Sequence, residues 1–223
     1  MSSIKVFFQI GTNNGNDLFK ELVIKNKPDI VILVEPNDNL INEIKQNYSN
    51  IKNVYIYNNA IYYNDDEIIE LYIPAKNGII GTRADNNIIY SHGHFSLLPM
   101  NDWGKKNDMV KITTKSITFD KICSIHNITN IDYLQIDTEG FDSEIIKMID
   151  LSKYKINKIR FEKWAFTSKC FTDYHKEKAN ELGINGFKNS IDKLVKNNYI
   201  LRDIYDEDGN DIIATLDVQN INY

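Results

Sequence analysis

Cysteine, proline and surplus positive charge are all scarce in this sequence, and each shortage removes a class of protein. Its 223 residues include two cysteines, four prolines and ten glycines. Cys123 and Cys170 lie far apart, with no C-x-x-C pair and no Cys/His cluster at zinc spacing. They read as two free thiols in a reducing cytosol, which places the protein in the cytoplasm. So little Gly and Pro excludes collagen-like and low-complexity chains. The 26 Lys and Arg are outnumbered by 31 Asp and Glu, for a net charge of −5 and a pI near 5.4. That balance argues against non-specific nucleic-acid binding, which depends on neutralising phosphates, and leaves room only for a local basic groove. No apolar run approaches the ~18–20 residues of a membrane span. The amino terminus lacks the basic region and cleavage site of a signal peptide.

What is present is the make-up of a folded domain. Hydrophobic residues account for 42% and charged residues for 26%, which a packed core needs and a disordered chain lacks. The length suits one α/β domain spanning residues 1–223. Ile and Asn are abundant and Lys heavily outnumbers Arg. This looks like AT-rich coding, so the many Asn carry no functional weight.

Along the chain, Lys5 to Ile10 is a β-forming apolar run that ends at Gly11-Thr12-Asn13-Asn14-Gly15-Asn16. Asp17 then opens a helical pattern in which Leu18 and Leu22 share a face, and Pro28-Asp29 breaks it. Ile30 to Val34 is uniformly apolar, as suits a strand covered on both faces of a parallel sheet, and ends at Glu35-Pro36-Asn37. A helix through Leu40, Ile41 and Ile44 and a strand from Val54 to Ile61 follow. This is the front half of a doubly wound fold, and right-handed crossovers put both helices on one face.

The second half repeats the logic. Glu67–Ile73, Val110–Ser116, Ile131–Ile136 and Ile156–Phe161 read as strands, with a helix carrying Ile145, Ile146 and Ile149 and another over Asn189–Asn197. Tyr199–Tyr205 and Asp211–Asp217 flank Asp206-Glu207-Asp208-Gly209-Asn210, a hairpin signal because Asp-Gly supplies positive φ. The expected fold is a Rossmann-like, mostly parallel seven-stranded sheet with helices on both faces and a C-terminal antiparallel hairpin. Between Lys76 and Asp108 the pattern dissolves into Gly, His and large aromatics. An irregular segment this long in a compact domain reads as a substrate-facing insertion.

In such a sheet the ligand sits beyond the carboxyl ends of the strands. The residues there are Gly11–Gly15, Glu35, Asn59, Asp137–Glu139 and Glu162. Glu35 lies about 20 residues past the Gly loop, the spacing at which a carboxylate grips ribose hydroxyls. The loop lacks the G-x-G-x-x-G pattern that makes room for a pyrophosphate, and no P-loop occurs. Asp17, Glu35, Asp137, Glu139 and Glu162 make the rim acidic. An acidic rim repels a pyrophosphate and suits a ligand with an ammonium and a sulfonium, which S-adenosylmethionine has together with a ribose.

Gln9-Ile10-Gly11-Thr12-Asn13-Asn14-Gly15, Val34-Glu35-Pro36-Asn37, Asn59-Ala60 and Leu134-Gln135-Ile136-Asp137-Thr138-Glu139-Gly140-Phe141-Asp142 resemble, in order, the motifs of the FkbM-type methyltransferases. Those are class I, S-adenosylmethionine-dependent O-methyltransferases of small-molecule and sugar hydroxyls. The resemblance covers roughly residues 5–165. It departs at Gln9, where an acidic residue is usual, and at Gln135, where Lys is usual. It implies that Gly11, Asn13 and Gly15 line the methionyl side, that Glu35 holds the ribose and that Asn59 lies near the adenine. Asp17, Pro36, Ala60 and Asp137 complete the implied cofactor site.

Methylating an alcohol requires alignment of hydroxyl, methyl and sulfur, and removal of the hydroxyl proton. The proton can leave to a carboxylate, Asp137 or Glu162, to His94, or after a divalent cation such as magnesium or manganese lowers the hydroxyl's pKa. Glu139, His92, His94, Trp103 and Trp164 are the candidate substrate contacts, the indoles as stacking surfaces for a sugar ring. Two other readings compete: a nucleic-acid methyltransferase, which lacks support from charge and from an Asn/Asp-Pro-Pro-Tyr motif, and a non-catalytic module that only binds the cofactor.

Overall fold

The computed structural model describes residues 4–74, 79–82, 88–90, 109–163, 183–206 and 209–217. The chain opens with β1 (Val6–Ile10), wholly buried, and α1 (Leu18–Asn26). Asp17 caps α1 by accepting from Lys20 N at 3.0 Å, and Lys27 ends it in the left-handed conformation just before Pro28. Next come β2 (Ile30–Val34), a 3-10 turn at Asp38–Leu40, α2 (Ile41–Asn47) and β3 (Val54–Tyr57). Then follow β4 (Ala60–Ile61), β5 (Ile68–Pro74), β6 (Ile79–Thr82), β7 (Ile88–Tyr90) and β8 (Met109–Ile117). The rest is α3 (Phe119–Ile125), β9 (Asn130–Ile131), β10 (Tyr133–Ile136), α4 (Asp142–Met148), β11 (Lys155–Ile156) and β12 (Lys158–Glu162), then α5 (Ile184–Lys196), β13 (Tyr199–Asp206) and β14 (Gly209–Leu216).

Seven strands form the central sheet in the order β13-β14-β12-β10-β1-β2-β3. β14 alone runs against the others, paired antiparallel to both β12 and β13. This is the mostly parallel α/β sheet with a C-terminal hairpin that the sequence pattern announces. Its strands are apolar on both faces because both are covered. Phe7, Val31 and Leu33 pack under Phe19 and Val23 of α1 and Ile44 of α2. Phe8, Ile32, Leu134 and Phe161 pack on the other side against Ile122 of α3, Ile145 of α4 and Leu194 of α5. Both early helices therefore share one face, as right-handed crossovers require.

The structure departs from the expected elements in three places. The strand expected over 54–61 is two strands, and β4 leaves the central sheet to join β8 and β5 in a sheet of its own. The Asn58 side chain donates to Glu35 O and Pro36 O, and that of Asn59 to Lys115 O, so the chain is pinned between the loop after β2 and β8 where it would otherwise run straight. Glu67–Ile73 and Val110–Ser116 are strands, as read, but they pair with each other from Ile68↔Lys115 to Pro74↔Met109. The bulk of the 76–108 insertion thus hangs from the end of a β-ribbon. The third is α3, which is not among the expected helices, although Thr118 caps it by accepting from Lys121 N and Phe119, Ile122 and Cys123 share its buried face. Cys123 is a free thiol, and burial pushes it up to about 12. Among the described residues no helix is long and apolar enough to cross a membrane.

Candidate functional site

The carboxyl ends of β1, β2 and β10 meet at a single crossing of backbone. Gly11 N and Thr12 N both donate to Val34 O, and Asp137 N donates to Ile10 O. Gly11 turns with φ +81°, and a Cβ built on it would stand 1.7 Å from the Asp137 carbonyl oxygen. Only glycine lets the two chains touch here. Asn13 also has positive φ, 54°, which aims its N–H at Glu35 Oε2, 2.7 Å away. The other oxygen, Oε1, accepts from Asn37 N at 2.9 Å. Each carboxylate oxygen thus uses one lone pair on backbone and keeps another for a ligand.

These residues line a cavity of about 730 Å³, counting its open mouth. Gly11, Asn13, Glu35 and Pro36 form one side, Asn59 and Ala60 the next, and Asp137 and Glu139 another. Ile61, Leu71, Phe141 and Ile145 supply an apolar wall. An apolar wall beside a buried carboxylate whose oxygens are oriented by backbone suits an adenosyl cofactor, with a flat apolar base and a polar sugar. Of the residues expected to bind it, Gly15 and Asp17 stand off the wall. Gly15, φ +71°, turns the loop against the Tyr48 ring, and Asp17 caps α1 while accepting from Gln9 Nε2 at 2.6 Å. Leu71, from the ribbon below the insertion, is a wall residue that the motifs do not mark. His92, His94, Trp103 and Trp164 lie outside the described residues.

Asp137 and Glu162 come together as expected, since β10 and β12 are neighbours with Ile136 opposite Phe161. The residue that organises them is Asp142, fully buried at the start of α4. Its Oδ2 accepts from Thr138 N and Oγ1, and its Oδ1 from Glu162 N. Its only sequence signal is its place as the last residue of the Asp-x-Glu-Gly-Phe-Asp block. Burial lifts Asp142 to about 7 and, reinforced by Glu139 and Asp142, lifts Glu162 to about 10. Asp137 stays open to the cavity's water, yet the surrounding protein, Glu139 and Asp142 hold its carboxyl well above the usual range. Such a group is readily ionised by an incoming positive charge. Among the described residues no three His, Cys, Asp or Glu side chains are arranged to hold a metal ion.

Glu35 is raised by burial from its ordinary 4.5 to about 7. Between those values the folded chain binds a proton that the unfolded chain has released. The stability it contributes is complete below 4.5 and is lost as pH rises through 7, and Asp142 and Glu162 act in the same direction. The unliganded protein should therefore melt several degrees lower at about pH 8 than at about pH 5. A scanning calorimeter tests this; equal or higher melting at the alkaline value would contradict it.

A family model described as the methyltransferase FkbM domain matches residues 9–201. No curated protein matches the sequence. Among solved structures, M. capricolum TrmK in complex with the cofactor product S-adenosyl-homocysteine aligns at 14% identity and a TM-score of 0.41, over 94% of this chain and 60% of that one. Precorrin-6y C5,15-methyltransferase from Geobacter metallireducens GS-15 aligns at 10% identity and 0.45, over 96% and 82%. The Methanococcus jannaschii fibrillarin pre-rRNA processing protein aligns at 12% and 0.41, over 96% and 66%. The chain thus spans 60% of the length of the first of these.

Proposed function

The chain belongs to the FkbM methyltransferase family, and from that premise we propose that it methylates a hydroxyl of a sugar, free, nucleotide-linked or within a glycan. S-adenosylmethionine, when bound, supplies the methyl group on a sulfonium. The observation that carries the reading is Glu35, buried on the cavity wall with both oxygens oriented by backbone N–H groups. It holds the ribose hydroxyls; Asn13 and the Gly11 turn carry the methionyl side, and Pro36, Asn59 and Ala60 border the adenine. Asp137 receives the proton of the acceptor hydroxyl, with Glu162 beside it. The free thiol of Cys123 accords with action in the cytosol. The deciding experiment is transfer of labelled methyl from S-adenosylmethionine to a panel of sugars, with and without chelator. Transfer to none of them would remove the sugar acceptor.

Glu35→Ala should weaken S-adenosylmethionine binding by about 1.5–3 kcal/mol, the range for hydrogen bonds to a charged group. Calorimetry on the folded variant checks it, and unchanged affinity would sink the assignment. The insertion, by this reading, selects the acceptor. Replacing residues 76–108 with a short Gly/Ser connection keeps Leu71 on the wall, so cofactor affinity should stay within about threefold, roughly 0.7 kcal/mol, while transfer is lost. Collapse of cofactor binding in a folded protein would reassign the segment to the cofactor site.

A further inference from the structure

Helices α4 and α5 pack side by side and leave a groove between them. Ser143, Glu144 and Lys147 line it from α4, and Asn189, Ser190 and Lys193 from α5. None of these lines the cavity assigned to the cofactor, whose wall takes Phe141 and Ile145 from the same stretch of chain. Helix α4 therefore stands between the two. Tyr63 ties them together: its ring meets the Phe141 ring edge-on, 6.3 Å between centroids, and its hydroxyl donates to Glu144 Oε2.

Three of the lining side chains are almost wholly buried, Ser143 at 2% exposure, Ser190 at 3% and Glu144 at 4%. The charges in the groove are already met. Lys193 Nζ spends its three N–H bonds on the carbonyls of Ile146, Lys147 and Ile149, at 2.9, 2.8 and 2.6 Å. Lys147 Nζ lies 3.3 Å from Glu144 Oε2. Ser143 Oγ is not met: it is buried with no hydrogen-bond partner among the described residues. Native folds seldom leave a buried hydroxyl so. An anion entering the groove would face the Glu144 carboxylate, and a further cation would face two ammonium groups. Hydroxyls, an amide and a balanced ion pair suit a neutral ligand that both donates and accepts, which is what a sugar's hydroxyls do. We propose that the α4–α5 groove binds a neutral sugar unit, the neighbour of the sugar methylated, so that the acceptor is a glycan of two or more units. Its being part of the acceptor rests on the sugar-hydroxyl reading above; the groove's taste for a neutral sugar does not.

Calorimetry on the full chain loaded with S-adenosylhomocysteine tests it, with maltose, cellobiose and lactose, their units glucose and galactose, inorganic phosphate and putrescine as probes. At least one disaccharide should bind about tenfold or more tightly than either of its units. Ser143→Ala and Asn189→Ala should each remove that advantage and leave S-adenosylhomocysteine affinity within about threefold. Ser143→Ala should also leave the melting temperature of the unliganded chain no lower, since the hydroxyl it removes has no partner there. Melting several degrees lower returns the hydroxyl to the fold and overturns the site. Disaccharides that bind no better than their units, or an advantage that survives both variants, overturn the proposal and leave the methyltransferase reading intact. Phosphate or putrescine bound more tightly than any sugar, and lost in Ser143→Ala, overturns it as well. If a disaccharide binds through Ser143 and Asn189 but no saccharide accepts a labelled methyl, the groove stands and the sugar acceptor falls. No binding by any probe overturns the site.

Discussion

Gly11→Ala should destabilise the protein by about 4 kcal/mol or more, the range reserved for a few severe mechanisms. Two of those act at once. The residue sits at φ +81°, where an L side chain is strained, and its Cβ would overlap the Asp137 carbonyl oxygen at 1.7 Å. The obstacle is backbone, so no side chain can rotate out of the way. Relief requires the Gly loop to move off β10, which would break the Asp137 N to Ile10 O and Gly11 N to Val34 O bonds. Denaturant unfolding measures the loss, and any variant that still folds should bind S-adenosylmethionine poorly because Asn13 no longer aims at Glu35. An alanine variant within about 1 kcal/mol of the parent would mean that the loop does not pass Asp137 this closely.

Asp137→Asn should lower kcat by about 10²–10⁴, the usual worth of a positioned general base, with a far smaller change in KM for the cofactor. Asparagine keeps the shape and removes the proton acceptor. Because the surrounding protein and its carboxylate neighbours hold Asp137 above the usual range, the wild-type rate should rise with pH through that elevated value, and the rise should vanish in the variant. Glu162→Gln should have the same direction of effect. Chelator separates base from metal ligand: activity removed by EDTA and restored by magnesium or manganese would make the pair cation ligands. If both variants turn over at the wild-type rate, His94 is the next candidate.

Strand pattern and loop chemistry make much of this legible in the sequence. Ile30–Val34 reads as a doubly covered strand because it is one, and Asp208-Gly209 announces the hairpin whose strands pair from Tyr199↔Leu216 to Asp206↔Gly209. Glu35 is legible because its distance from the Gly loop is fixed by one crossover. Contacts that depend on distant partners are not. The need for glycine at position 11 comes from Asp137, more than half the chain away. The departure of β4 from the main sheet turns on the Asn58 amide choosing the loop after β2 and the Asn59 amide choosing β8. Asp142 looks like any helix-opening acid until Thr138 and Glu162 are seen to share it. Gln9 Oε1 and Gln135 Oε1, buried with no hydrogen-bond partner among the described residues, meet only once β1 and β10 are set side by side.

The β5–β8 ribbon has an evolutionary consequence. Its ladder closes at Pro74↔Met109, so the two ends of everything between them are already held together by the core. Closing a longer or shorter loop adds only a slowly growing entropic term, and here the ladder fixes the geometry of closure in advance. The insertion can therefore be exchanged as a cassette. Length and composition can change there while the strands that carry Gly11, Glu35 and Asp137 keep their pairing. A family built this way would diversify at one address.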